Sequence, residues 1–396
     1  GYYVVNGTTG GEVDIVINTS NENYTNFKIH VYIGDGTSEY PYYIENMSDI
    51  QKIGDMYSLD SSYQLRSNIT LSSSFLPIGY NYTSNQYAGF TGSFDGNGFT
   101  ISGLNLIGNE YSNAGLFSSL IGASVQDLTI SQASVNGTYD NAGILAGRID
   151  DGSIVTGVRI LDSSVTNAKA NSNVGGLAGT ITNNSSVSVS VVTNSFITMS
   201  STAVSNSNVG GFAGIVDQSK VQATFADTAI SADNGSTGNV AGFTGKFVIG
   251  TDAGSIQESY SITTSEYANF AGFIGQISSG TNFNNAQANQ LTYLVGNYAL
   301  TNGNNVVVRT NDLANTEDRN GIRFFERYYD IDNAIYFIVG YNSLDNMVSN
   351  SNYVFYAVDR NNLTLWDASA WEFVSGQMPT LKTENVTLSA ISAEYM

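Results

Sequence analysis

The 396-residue chain has a single histidine, His30, no cysteine and 34 aspartates and glutamates, so any chemistry it performs must rest on carboxylates, hydroxyls and amides. Paired carboxylates serve as general acid and base on glycosidic bonds. Three sites bring them together in sequence: Asp150-Asp151, Glu317-Asp318, and Asp330 with Asp332. Each falls in a loop, and none recurs at a spacing that would converge with another on a cleft, so all three read as solvated turns and no catalytic residue is assigned. His30 lies in a strand-like stretch without a nucleophile motif nearby, which argues against a histidine-centred triad. No cofactor is expected. Calcium is the cation an oxygen-rich, acidic chain would take, with Asp330, Asp332 and Asp359 as weak candidate ligands. Asp95-Gly-Asn-Gly98 also resembles part of a calcium loop.

Asparagine supplies a second kind of candidate. Twelve residues head an Asn-x-Ser/Thr sequon: Asn6, Asn18, Asn23, Asn46, Asn68, Asn81, Asn136, Asn183, Asn184, Asn234, Asn362 and Asn385. About nine would arise by chance at this composition, so glycosylation at these positions is permitted without being argued for.

The charge balance narrows the partners. A formal charge of −20 with only 14 Lys and Arg repels polyanions, which excludes nucleic acid and disfavours anionic lipid headgroups. No apolar run approaches the roughly 20 residues of a spanning helix, so a soluble chain or a soluble polymer subunit is expected. The start at Gly1, without Met or a leader, reads as a processed mature end. The lack of cysteine leaves the redox compartment undetermined. Abundant Gly, Ser, Thr and Asn, with little Ala, Leu, Lys or Glu, places the chain in the all-β class.

Internal repetition organises the rest. Six segments align on an Asn followed by a small, Gly-rich apolar run, beginning at Asn113, Asn141, Asn173, Asn208, Asn239 and Asn269, with spacings of 28, 32, 35, 31 and 30 residues. That period suits one coil of a three-sided parallel β-helix with three strands of about five residues each, right-handed as crossovers between parallel strands almost always are. Each copy continues into an alternating stretch, such as Ser124-Val-Gln-Asp-Leu-Thr-Ile130, the mark of a half-buried strand. Stacked coils would place Leu177, Phe212, Phe243 and Phe273 in one inward column. The Asn column has two readings, an amide ladder along the axis or independent turn residues. The three prolines are Pro41, Pro77 and Pro379, so the long interval between the last two is free of ladder breakers.

These residues resemble the GLUG-repeat family, whose motif is matched by Val174-Gly-Gly-Leu-Ala-Gly179 and Val209-Gly-Gly-Phe-Ala-Gly214. The resemblance extends to Tyr43-Ile-Glu-Asn-Met-Ser-Asp-Ile50, to Phe90-Thr-Gly-Ser-Phe-Asp-Gly-Asn-Gly-Phe-Thr-Ile-Ser-Gly-Leu104, and to an exit segment from Trp366-Asp367 to Pro379-Thr-Leu381. It implies a tight turn at Asp95-Gly-Asn-Gly98, an exterior location and a scaffold or adhesive role without an active site.

The chain divides on this reading into a β segment at 1–40 (a cap or assembly strand, with strands at 2–5, 12–17 and 27–33), the parallel β-helix at 41–305, an aromatic-rich β cap at 306–382, and an extended tail at 383–396. The expected function is an extracellular, non-catalytic subunit that polymerises with itself into a cell-surface sheath, layer or filament, by strand addition through the tail or residues 1–5. The alternative is a surface adhesin or glycan-binding module using the tyrosines of residues 322–356.

Overall fold

The computed structural model describes residues 10–17, 27–71, 75–81, 86–108, 112–200, 206–232, 238–249, 254–279, 294–302, 304–310, 315–319, 322–327, 335–348, 366–367, 369–374 and 377–382. Short alternating segments cannot bury an apolar face alone, and the repeat decides how they meet. Ser124, Val125 and Gln126 pair in parallel with Ser93, Phe94 and Asp95 on one side and with Ile154, Val155 and Thr156 on the other. Continued coil after coil, this in-register pairing makes the chain a parallel β-solenoid of about six turns.

A full coil carries five strand segments rather than three. In the second coil they are Ser124–Gln126, Thr129–Ser131, Ser134–Gly137, Asn141–Ala142 and Ala146–Asp150. The first segments stack into one face, the second and third into a bent second face, the fourth into a third face and the fifth into a fourth. The segments are short because a single residue in the left-handed region turns a corner, here Asp127 (φ 49°) and Gln132 (φ 52°). The hydroxyl after such a corner ties adjacent coils together. The Ala133 N–H donates to Ser163 Oγ at 3.1 Å while that hydroxyl donates to Leu161 O at 2.7 Å, and Val158, Ser190 and Ser188 repeat the arrangement.

Inside, identical positions form continuous columns. Tyr63, Phe94, Val125, Val155, Val187, Val221 and Ile256 line the first face, and Ile101, Ile130, Ile160 and Val192 the second, all buried. Leu145, Leu177, Phe212, Phe243 and Phe273 fill the turn between the third and fourth faces. Phe212 and Phe243 stack at 4.9 Å, Phe243 and Phe273 at 4.6 Å.

Residues 46–59 plug the lower opening. Asn46 caps the one-turn helix Met47–Ile50 by accepting from the Ser48 and Asp49 N–H groups. Ile50, Ile53 and Leu59 are buried, and Tyr57 stacks on Tyr42 at 4.0 Å. Before the plug, Gly11–Ile17 and Phe27–Ile33 form an antiparallel hairpin. At the other end, Asn297–Leu300 pairs with Ile335–Tyr341, which continues antiparallel into Ile322–Arg327 and Asn315–Arg319. The aromatic block therefore extends the second face as a meander. The strand proposed at residues 2–5 and the tail at 383–396 lie outside the described residues.

Leu177→Ala is expected to lower unfolding free energy by about 3 kcal/mol, because the stacked coils above and below restrict collapse around the void; urea denaturation measures it. Raising salt from about 0.1 M to about 1 M shrinks the screening length from about 10 Å to about 3 Å, so a chain of net charge −20 is expected to melt several degrees higher.

Candidate functional site

The outward positions of the first face form two polar columns along the axis. One runs Gln64, Asp95, Gln126, Thr156, Ser188, Gln222 and Gln257; the other runs Ser62, Ser93, Ser124, Ile154, Ser186, Lys220 and Ser255. Alternation produces both: with Tyr63, Phe94 and Val125 inward, the residues on either side face out. Gln64 Nε2 donates to Asp95 Oδ2 at 3.0 Å and Ser188 Oγ to Thr156 Oγ1 at 3.2 Å. At the lower end, Ser38 and Pro41 overhang a groove of 180 Å³ lined by Ser62, Gln64, Ser93, Asp95, Ser124 and Gln126. One level below Gln64 stands Tyr43, with the Arg66 guanidinium 4.0 Å from its ring centre and Tyr32 packed edge-on at 6.2 Å. Asp127, at the adjoining corner, is raised above the usual carboxylate range by burial and by the Asp95 charge.

The third face carries the Asn column. Nδ2 of Asn141 donates to Oδ1 of Asn113 at 2.7 Å, and the pattern repeats from Asn173 to Asn141 (2.8 Å), Asn208 to Asn173 (2.9 Å) and Asn239 to Asn208 (2.8 Å). Asn269 does not join: it is an exposed turn residue just before the strand Phe270–Ala271, and Gln276 Oε1 accepts from Asn239 at 3.1 Å instead. The neighbouring glycines are required by approach. A Cβ at Gly179 would stand 2.7 Å from Ala142 N and 2.8 Å from Asn141 Cβ, and one at Gly214 2.5 Å from Val174 N.

A third feature was not legible as such in the sequence. The exit segment lies along the outside of the second face instead of closing an end. Val191, Phe225 and Tyr260, in one column, form with Trp366, Trp371 and Leu381 an apolar cluster separate from the interior core. Trp366 Nε1 donates to Gly296 O (2.8 Å), Tyr260 OH to Pro379 O (2.8 Å) and Arg159 to Lys382 O (3.2 Å). Glu258, a left-handed corner residue (φ 50°) only 4% exposed, accepts from Asp367 N–H at 2.9 Å and Gln222 Nε2 at 3.1 Å. Burial raises its pKa, and the Asp367 charge adds to the rise.

The other sequence candidates fall apart from one another. Asp150 is 8% exposed and committed to Arg148 (2.6 Å), Thr182 (2.9 Å) and Asn183 (2.7 Å), while Asp151 is an exposed corner at φ 55°. Glu317 and Asp318 lie on the strand Asn315–Arg319, and His30 stands opposite Asp14 in the hairpin. Asp95 Oδ1 accepts from Asn97 N–H at 2.8 Å, forming a tight turn. Asp330, Asp332 and Asp359 lie outside the described residues, among which no three acidic or histidine side chains gather as a metal site. Of the sequons, Asn46, Asn68, Asn136, Asn183 and Asn184 are exposed; Asn183 donates its Nδ2 to Asp150, and Asn81 lies in the strand Tyr80–Asn81. Asn6, Asn18, Asn23, Asn234, Asn362 and Asn385 lie outside the described residues, as do Tyr328, Tyr329 and residues 353–356. No described helix is long and apolar enough to cross a membrane.

Comparison with known proteins bears on the fold first. The chain matches no family profile. Over 89% of its length it superposes on 95% of the crystal structure of a proposed immunoglobulin A1 protease from Bacteroides ovatus, with a TM-score of 0.56 and 16% identity. That likeness is one of fold. In sequence it is 37% identical over 167 residues to Halomucin of Haloquadratum walsbyi, a match covering 39% of this chain and 2% of that protein. The chain thus spans a small fraction of the curated relative it matches.

Asn173→Ala removes both a donor and an acceptor from the middle of the amide row and is expected to cost about 1–3 kcal/mol in urea melts against wild type. Because the folded-state pKa of Glu258 is raised, the folded chain holds that proton to higher pH than the unfolded chain does. Its contribution to stability is therefore greatest in acid and is lost as pH rises through the raised value. Glu258→Gln is expected to flatten that part of the stability–pH profile, measured against wild type by thermal melts.

Proposed function

We propose that the chain is a rigid, non-catalytic scaffold of the GLUG-repeat type, displayed outside the cell on its surface or envelope, that joins further copies of itself into a sheath, layer or filament. The observation that carries this reading is the unbroken stack of coils, whose repeated side chains are spent on one another: Asn on Asn, Phe on Phe, corner Ser on the next coil's N–H. The GLUG-like motif supports it locally, since Val174 and Leu177 point inward and Gly179 lets the backbone pass the amide row. Likeness to Halomucin supports the exterior location. Asp150, one of the paired acids, is buried and held by three neighbours in a structural role.

Assembly is proposed to run through residues 383–396 or 1–5. The outermost meander strand among the described residues, Asn315–Arg319, has Glu317, Asp318 and Arg319 in succession, and such charge along a sheet edge opposes casual strand pairing. A second reading, a glycan-binding module on a larger assembly, is favoured by the polar columns of the first face.

Electron microscopy of the purified chain at rising concentration is expected to reveal regular polymers, and deletion of 383–396 to abolish them. Single rods at every concentration would refute self-assembly, whereas undiminished assembly of the truncated chain would move the contact to residues 1–5.

A further inference from the structure

We infer that the first face is a binding track for an extended, uncharged β-linked polysaccharide, with one end of the sugar chain seated in the groove beneath Ser38 and Pro41. This rests on the second, glycan-binding reading and names its ligand class and site, and it holds whether or not the chain polymerises.

The lateral faces differ in what they leave open. The second face is covered where the exit segment crosses it, and the third face turns its amides upon one another. On the first face, the hydroxyls of Ser93 and Ser124 and the amide of Gln126 have no protein partner among the described residues, although all three line the groove. Hydrogen-bonding groups left open in a concave site are what a polyhydroxylated ligand would satisfy.

Charge and spacing choose among such ligands. Of the outward residues named along the two columns, only Asp95 and Lys220 are charged, and Asp95 is already engaged by Gln64 and Asn97. A track so nearly neutral on a chain of −20 favours a neutral ligand and penalises an anionic one. Within the groove the open hydroxyls of Ser93 and Ser124 stand one coil apart, about 4.8 Å, close to the advance per unit of an extended β-linked hexose chain, so neighbouring sugars would each reach one of them. A second copy of this protein is a poorer occupant, because the strands of this face are paired on both sides and offer side chains, not a free backbone edge. Tyr32, 47% exposed beside Tyr43, supplies an apolar ring at the groove end of the track, the surface on which a sugar face stacks.

The test is calorimetric titration of the full chain with cello- and chito-oligosaccharides of two to six units, and with the β-1,4-linked hexamannuronate as the anionic counterpart. At least one neutral series is expected to bind with affinity rising with length, and the uronate to bind more weakly. Gln126→Ala is expected to weaken the neutral hexasaccharide about fivefold, the loss of one hydrogen bond, with an unchanged melting temperature. Ser124→Ala provides an independent variant should Gln126→Ala disturb folding. Thr198→Ala, on the second face, is expected to leave binding unchanged. Failure of every neutral oligosaccharide to bind at millimolar concentration, equal binding of the uronate, or indifference of affinity to both first-face substitutions would overturn the assignment. Each outcome is read on dispersed chains and is independent of whether polymers form.

Discussion

Everything in this molecule depends on one coil covering the apolar face of the next. No coil has a core of its own: Phe243 is buried because Phe212 lies beneath it and Phe273 above, and Val155 because Val125 and Val187 do the same on the first face. The backbone ladders run in the same direction, so hydrogen bonding and hydrophobic burial are both satisfied between coils rather than within them. Strict register follows, since a slip of one residue would turn every inward side chain out.

That dependence explains what could be read from the chain alone. The Asn spacing and the aromatic run after it repeat because the environment repeats, and the period, the parallel stacking and the inward column of Leu177, Phe212, Phe243 and Phe273 were all visible in it. The corners were not. Glycine marks some of them, but Asp127, Val189, Ala223 and Glu258 adopt the same left-handed conformation with φ between 49° and 53°, and nothing in their identity announces it. Without those corners, the repeat reads as three strands instead of five. Asn269 is the complementary error: it has the motif and the spacing, yet it falls in a turn, and Gln276 from the adjoining face closes the row.

The exit segment was legible as a motif and not as a position. Its tryptophans could equally have filled the end of the solenoid. What places them on the side is the outward column Val191, Phe225 and Tyr260, apolar where the preceding coils carry Thr100, Thr129 and Arg159. Outward and inward aromatics look alike in an alternating strand until the register is known. The same cover accounts for Val189, a β-branched residue at φ 49°, since its side chain packs into the lateral cluster and the burial offsets the strain.

A stack of equivalent coils has no intrinsic length, because a whole repeat can be added or removed while every neighbour relation is kept. The exit segment ends that freedom for part of the rod. It touches Gly296 near its start and Arg159 near its finish, reaching down the column that runs Arg159, Val191, Phe225, Tyr260 and Tyr298. It therefore acts as a gauge: duplication or loss of a coil within that reach would throw its anchors out of step, whereas the coils below Arg159 are ungauged. Variation in rod length among descendants of this chain should accumulate in the lower part.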